Sequence, residues 1–502
     1  MAMYHSTRSH EPMLTSKEAI RRGIAPDGGL YVSDDLGSRT VDIAGLASRP
    51  YDDIAREVLG ALLPDYSPAQ IAACVKEAYG STFASDEVTP VVPLKGTPGE
   101  DSTPAYVLEL WHGPTSAFKD VALQMLPRLM ARTGEEGADA AEQIMIVTAT
   151  SGDTGKAALA GFAGAPGVGI TVFYPEGKVS RVQELQMSTQ EGSNVSVCAV
   201  RGNFDDAQSA VKRIFADREL AERLDDQGVV LSSANSINVG RLVPQVVYYF
   251  AAYAQLLRAG AIEPGDAVEF CVPTGNFGDI LAGYYAKRLG LPVAKLIVAS
   301  DKNNVLFDFL TTGTYDRERP FHTTTSPSMD ILISSNLERM LYYLSDGDCE
   351  LVARLMGELA DGSYEVPSEL LAKIQEVFGC DWADEDQVAA AIEDCWDRNG
   401  YLIDPHTACG YHALGTLAAA PGARARVVLS TASPYKFPRA VAGALGLFCP
   451  PDDFACMKVL EKATGTCAPA QLAALQGKAV LHTDVVDIDG MGAFVERAAE
   501  KL

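Results

Sequence analysis

No run of apolar residues approaches the roughly 18 needed to cross a bilayer as a helix, so a membrane-spanning reading of the 502-residue chain is set aside. The opening Met1-Ala2-Met3-Tyr4-His5-Ser6 lacks the basic-then-apolar pattern of a secretory leader, and a cytoplasmic protein is expected. Positive charge is scarce. Against 66 Asp and Glu stand 41 Lys and Arg, a formal charge of -25 whose field repels phosphate backbones and anionic lipid. Neither nucleic acid nor a membrane surface is an expected partner, and an anionic substrate needs a local basic pocket. Cys-x-x-Cys spacing is missing too. The ten cysteines are dispersed, the closest pair being Cys449 and Cys456, so they read as reduced, mostly buried thiols, and no metal is expected.

What is present is an ordinary globular composition, 47% hydrophobic and 21% charged, long enough for two to four domains. The first ninety or so residues carry amphipathic helical patterns, Ser16 to Arg22 and Asp52 to Leu63, around the turn Pro26-Asp27-Gly28-Gly29, and suggest a cap domain. From Tyr106 onward short apolar runs alternate with helical stretches. Tyr106 to Leu110, Ile144 to Ala149, Ile170 to Tyr174, Val195 to Val200, Val268 to Val272, Leu296 to Ala299 and Val427 to Ser430 predict an α/β fold with parallel-type sheets covered by helices on both faces. Between Leu337 and Asn399 the pattern turns helical and acidic, an insertion. The last fifty residues return to mixed helix and strand, as in Ala479 to His482.

Three turns carry the chemistry. His112-Gly113-Pro114-Thr115-Ser116-Ala117-Phe118-Lys119-Asp120 ends a strand and opens the helical run Val121 to Arg132. A lysine at a helix start feels the positive end of the dipole, keeps more free amine, and can hold an aldehyde as a Schiff base; a solvated helix-start lysine is the plainer alternative. Thr148-Ala149-Thr150-Ser151-Gly152-Asp153-Thr154-Gly155-Lys156 offers backbone N–H groups for a carboxylate or phosphate, or else is an ordinary capped turn. It is not a P-loop, since Thr150 and Ala157 stand where the glycine and the magnesium-binding hydroxyl belong. Val272-Pro273-Thr274-Gly275-Asn276-Phe277-Gly278-Asp279 precedes the helix Ile280 to Leu289 and reads as a phosphate cradle or a structural turn. His112 is a candidate acid or base, or an orienting group; His406 and His412 read as structural. Pro127 is expected to kink or shorten its helix.

These segments, in this order, resemble the threonine synthases of the pyridoxal-phosphate superfamily typified by the tryptophan synthase β subunit. The resemblance extends through His5-Ser6-Thr7-Arg8, Ala25 to Tyr31, Val179-Ser180-Arg181-Val182-Gln183, Asn235 to Arg241, Asp404-Pro405-His406-Thr407-Ala408 and Ser430-Thr431-Ala432-Ser433-Pro434-Tyr435-Lys436-Phe437-Pro438. It covers nearly the whole chain and fits the long N-terminal form, whose members resemble monomeric enzymes. It implies fold type II: a helical cap (1–95), a large cofactor domain (96–118 and 237–450, with the insertion at about 337–400), a small α/β domain (119–236), and a C-terminal segment (451–502) on the large domain.

By the same resemblance Lys119 carries pyridoxal 5'-phosphate and acts as the catalytic base. Gly275, Asn276, Phe277, Gly278 and Asp279 surround the cofactor phosphate, and Thr431 faces its pyridine nitrogen. Ser151, Gly152, Asp153 and Thr154 grip the substrate carboxylate. Lys156, Ser180, Arg181, Asn238 and Arg241 are candidates for the ester phosphate of O-phosphohomoserine. The implied activity is a carbon–oxygen lyase reaction: the α proton is lost to Lys119, the γ-phosphate is expelled, and water adds at the β carbon to give L-threonine. A related lyase that stops at elimination and releases a keto acid is the enzymatic alternative; a cofactor-free binding protein of the same ancestry is the alternative from another class.

Overall fold

The computed structural model describes residues 3–134, 143–150 and 152–502. Two sheets dominate. The larger has six strands in the order Phe378–Trp382, Val293–Ser300, Ala267–Pro273, Ala423–Ser430, Ala105–Glu109 and Val91–Pro93, parallel except for the last, antiparallel pair. The smaller has five parallel strands, Asp484–Asp487, Val195–Arg201, Val168–Pro175, Gln143–Ala149 and Val229–Ser232. The β-branched runs explain both: Val168–Pro175 is buried at every position, as a strand covered on both faces must be.

All seven strands expected from the apolar runs form; the first is shifted by one residue to Ala105–Glu109 and the other six are lengthened by one to four residues. Four expectations need correction. The cap is not purely helical: Tyr4–Ser6, Ser9–Leu14 and Tyr31–Ser33 make a three-stranded antiparallel sheet beside helices Ser16–Arg22, Tyr51–Leu62 and Pro68–Tyr79. The insertion at 337–400 contributes the strand Phe378–Trp382 to the edge of the large sheet, because Phe378 is buried and the run pairs in register with Leu296 to Ser300. The C-terminal segment divides. Helix Asp453–Thr464 packs beside Pro438–Ala444, whereas strand Asp484–Asp487 and helix Met491–Ala499 join the small sheet, with Phe494 against Phe173. Ala479 to His482 is no strand; Leu481 and His482 donate their N–H groups to the Ser188 carbonyl instead.

The thiol expectation is corrected as well. Cys449 and Cys456 form a disulfide, since the chain folds back at the start of helix Asp453–Thr464 and brings their Cα atoms to 5.2 Å; the other eight are free.

Pro127 lies inside helix Lys119–Met130 without ending it. Proline cannot donate to the carbonyl four residues back, here that of Leu123, and a second helix exploits the gap. A Cβ on Gly161, in helix Asp153–Phe162, would lie 1.9 Å from the Leu123 oxygen. Proline on one helix and glycine on the other let their backbones touch, and both helices begin at the candidate site.

Candidate active site

The site lies beyond the carboxyl ends of the large sheet's strands, where ligands of open α/β sheets bind. Lys119 opens its helix and is positioned by backbone pairing with the segment after Ala423–Ser430. Phe118 N–H donates to the Thr431 carbonyl at 2.8 Å, Ser433 N–H to Ser116 at 3.1 Å, and Ala117 bridges Ala432. The turn ahead of the lysine is tight. Asp120 accepts from the Thr115 N–H and hydroxyl at 2.8 and 2.7 Å, and a Cβ on Gly113 would meet Asp120 at 2.4 Å, so only glycine fits.

Lys119 is 8% exposed. Its Nζ lies 3.2 Å from Ser328 Oγ and 4.0 Å from Asp153 Oδ2. Asp153 Oδ1 is in turn 2.7 Å from Lys436 Nζ, and both side chains are buried. Burial lowers the Lys119 ammonium from 10.5 to about 8; Lys436 and Arg241 push the same way, while Asp153 opposes them. Burial also works against the Asp153 charge, but Lys436 and Lys119 hold that carboxyl well below the usual range. The result is one carboxylate shared by two buried lysines, with burial favouring the neutral form of Lys119.

The Gly275 to Asp279 turn faces this cluster. A Cβ on Gly275 would sit 3.2 Å from the carbonyl oxygen of Ser328, the residue whose hydroxyl meets Lys119, so lysine and turn share one wall. Phe277 takes a left-handed φ of 59° to redirect the chain into helix Gly278–Arg288. Segment 334–336 buttresses the turn: Ser334 Oγ donates to the Gly275 carbonyl at 2.7 Å and Asn336 Nδ2 to that of Asn276 at 3.1 Å. The Asp279 carboxyl receives the hydroxyls of Tyr248 and Tyr249 at 2.5 and 3.0 Å, and burial pushes it up to about 7. The raised value lessens the negative charge that a phosphate would meet here.

The remaining predicted residues divide. Arg241 is buried, donates through Nη1 to the Ala234 carbonyl at 2.9 Å, leaves Nε without a partner, and has no ion pair among the described residues. Burial lowers it to about 10. Lys156 is buried with Nζ on Gln190 Oε1 at 2.7 Å, and burial lowers it to about 8. Gly152 has φ 147° and no room for a Cβ beside the Gln183 amide. The N–H groups of Gly152 and Gly155 both donate to Thr150 Oγ1 at 3.0 Å, so part of that turn is capped from within, and Thr154 is half-buried beside it. Ser151 lies outside the described residues. Three candidates already have partners: Ser180 and Asn238 cap the helices that follow them, and exposed Arg181 pairs with Glu184 at 2.8 Å. His112 is held by Glu109 at 2.6 Å and stacked on Trp111.

Sequence reasoning missed Ser328 and the roles of Lys436 and His406. His406 Nδ1 meets Asp404 at 2.6 Å while its Nε2 accepts the Ser328 N–H at 3.1 Å, which fixes the residue touching Lys119. Lys436 stands in a motif-bearing segment, but only burial beside Asp153 distinguishes it from a surface lysine. Ser328, at the end of the Thr/Ser/Pro stretch Thr323 to Ser328, carries no signal of its own.

The arrangement fits a phosphate-bearing aldehyde. It offers a buried amine of lowered basicity and, on the same wall, a glycine-bearing turn at a helix start. Family models match the chain over 84–432 (pyridoxal-phosphate dependent enzyme), 3–79 (threonine synthase N terminus) and 407–480 (threonine synthase, C-terminal). The threonine synthase of Pseudomonas aeruginosa is 40% identical over 444 residues, 88% of this chain and 90% of that protein. Among solved structures, the PLP-bound threonine synthase from Brucella melitensis is 38% identical with a TM-score of 0.86, covering 99% of this chain and 100% of that one. The yeast threonine synthase is 34% identical with a TM-score of 0.87, over 100% and 99% of the two chains.

Proposed function

The chain belongs to the threonine synthase family of pyridoxal-phosphate dependent enzymes, and from that membership we propose that it converts O-phosphohomoserine and water to L-threonine and phosphate. The cofactor is pyridoxal phosphate; when bound, it supplies an electron sink that acidifies the carbon next to the substrate amine. We assign it to Lys119, the Gly275 to Asp279 turn and Thr431.

Lys119 Nζ takes the α proton, a task suited to an amine whose burial lowers it to about 8. Ser328, held by His406, and Asp153, held by Lys436, keep that nitrogen in place. The N–H groups of Asp153 and Thr154 at the start of their helix receive the substrate carboxylate. Loss of a proton from the β carbon and of phosphate from the γ carbon, addition of water at the β carbon and return of protons to the γ and α carbons complete the balance. Burial around Lys119 excludes bulk water.

The observation that carries the substrate assignment is Arg241, a buried guanidinium with no carboxylate partner, whose field reaches Lys119. A buried cation left unpaired is costly, and an ester phosphate on the substrate completes it. Arg241→Ala is expected to raise KM for O-phosphohomoserine about 100-fold, by loss of a charge-assisted contact, with cofactor content unchanged. Loss of bound cofactor with KM intact would assign the guanidinium to the cofactor instead. Product analysis tests the reaction itself: accumulation of 2-oxobutyrate in place of threonine means that the chemistry stops at elimination.

A further inference from the structure

His5, His10 and Cys349 meet where the N-terminal hairpin packs on helix Cys349–Ala360, away from the reacting groups. His5 stands on strand Tyr4–Ser6 and is fully buried. His10 stands exposed on the antiparallel neighbour Ser9–Leu14, its ring centroid 4.7 Å from that of His5. Cys349, the first residue of its helix, is a buried free thiol 3.8 Å from the Ser6 carbonyl. One ligand atom from each residue lies within 4.8 Å of the other two.

We propose that these three side chains bind one zinc-class divalent ion, with solvent in the fourth position, and so tie the N-terminal hairpin to the inserted helices. Two imidazoles and a thiolate suit zinc rather than magnesium or calcium, which favour oxygen. Tetrahedral zinc with bonds of about 2.0–2.3 Å sets its ligands roughly 3.5 Å apart, so closure takes a movement of about 1 Å. The exposed His10 side chain is free to rotate by that much, and its exposure leaves the ion one open, solvent-facing position.

The surroundings supply the second layer of such a site. His5 Nδ1 lies 2.7 Å from the Ser6 carbonyl and 3.2 Å from that of Ser9, while Nε2 lies 3.2 Å from Asp34 Oδ1. With Nδ1–H committed to the two carbonyl oxygens, Nε2, which also has the Tyr342 hydroxyl at 3.1 Å, is the nitrogen that can face the ion, and Nδ1–H keeps the outer acceptor that ligating histidines require. Burial first, and then the charges of Asp34, Asp348 and Asp27, push the Cys349 thiol up to about 11, so its thiolate forms only with a bound cation, which the same three carboxylates attract. Arg8, in the hairpin turn, is occupied by Glu338 at 2.8 and 2.9 Å. The Arg8–Glu338 contact already joins the same two parts of the chain, and the ion adds a second tie between residues more than three hundred positions apart.

Equilibrium dialysis of metal-stripped holoenzyme against micromolar zinc, with metal content measured by atomic emission, tests the site without depending on turnover. One equivalent retained per chain is expected, with retention weakened about tenfold or more in His10→Ala and in Cys349→Ser. Zinc is also expected to raise the melting temperature of the unmodified protein but not of His10→Ala. Because His10 is exposed, that variant keeps the fold. No retained zinc overturns the proposal, as does retention unchanged in either variant, since exposed Cys467 or another surface donor is then the binder.

Discussion

At the scale of single residues the site turns on how two buried lysines share one carboxylate. Asp153 lies 2.7 Å from Lys436 and 4.0 Å from Lys119, so the carboxylate offsets only part of the cost of burying the Lys119 charge. Imine formation needs the free amine, and burial brings that form in near pH 8 instead of near 10.5. The rate of cofactor uptake by the apoenzyme is therefore expected to climb between about pH 7 and 9 and then level off. Lys436→Met removes a neighbouring positive charge and releases Asp153 toward Lys119. Both changes raise the Lys119 pKa, so the midpoint of that profile moves to higher pH; an unmoved or lowered midpoint refutes the shared-carboxylate account. Lys119 and the glycine turn were legible in the sequence because each sits in a strand-turn-helix pattern with its own chemistry. Ser328 was not, because its importance comes from His406, 78 positions away, which holds its backbone.

At the scale of elements, helices Lys119–Met130 and Asp153–Phe162 deliver the reacting lysine and its carboxylate partner from their first turns. Their relative placement depends on the contact between Gly161 and the Leu123 carbonyl that Pro127 leaves unpaired. Gly161→Ala puts a methyl group 1.9 Å from that oxygen. The helices must separate, and a loss of about 1–3 kcal/mol in urea unfolding is expected. Because the site sits at the far ends of the same helices, kcat should fall as well; unchanged stability would mean that the helices are not held by this contact. Proline in a helix reads from sequence as a defect. Its use appears only when the partner helix is in place. The same limit applies to Arg181, Ser180 and Asn238, whose types suit a phosphate but whose atoms are spent on a neighbouring glutamate and on helix caps.

At the scale of the whole molecule, the charge of -25 opposes the anionic substrate proposed here until it reaches the buried Arg241. Salt screens the long-range repulsion, with a Debye length of about 10 Å at 0.1 M, but acts less on a buried contact. kcat/KM for O-phosphohomoserine is expected to rise as neutral salt goes from a few millimolar to about 0.1 M. A steep fall over that range would indicate that exposed cations, such as Arg181, guide the substrate instead.

The amino-acid sequence by itself determined the strand and helix pattern, the three turns and their order, and with them the family and its cofactor. These are local: periodicity, capping residues and glycine spacing act within a few residues of chain. Tertiary structure alone decided which polar side chains reach the site and which are consumed elsewhere, that Cys449 finds Cys456, and that an N-terminal hairpin brings two histidines to Cys349. Apart from the disulfide, whose cysteines are seven positions apart and meet because the chain folds back at a helix start, those outcomes depend on distances between segments far apart in the chain, and such distances exist only once the apolar faces have packed.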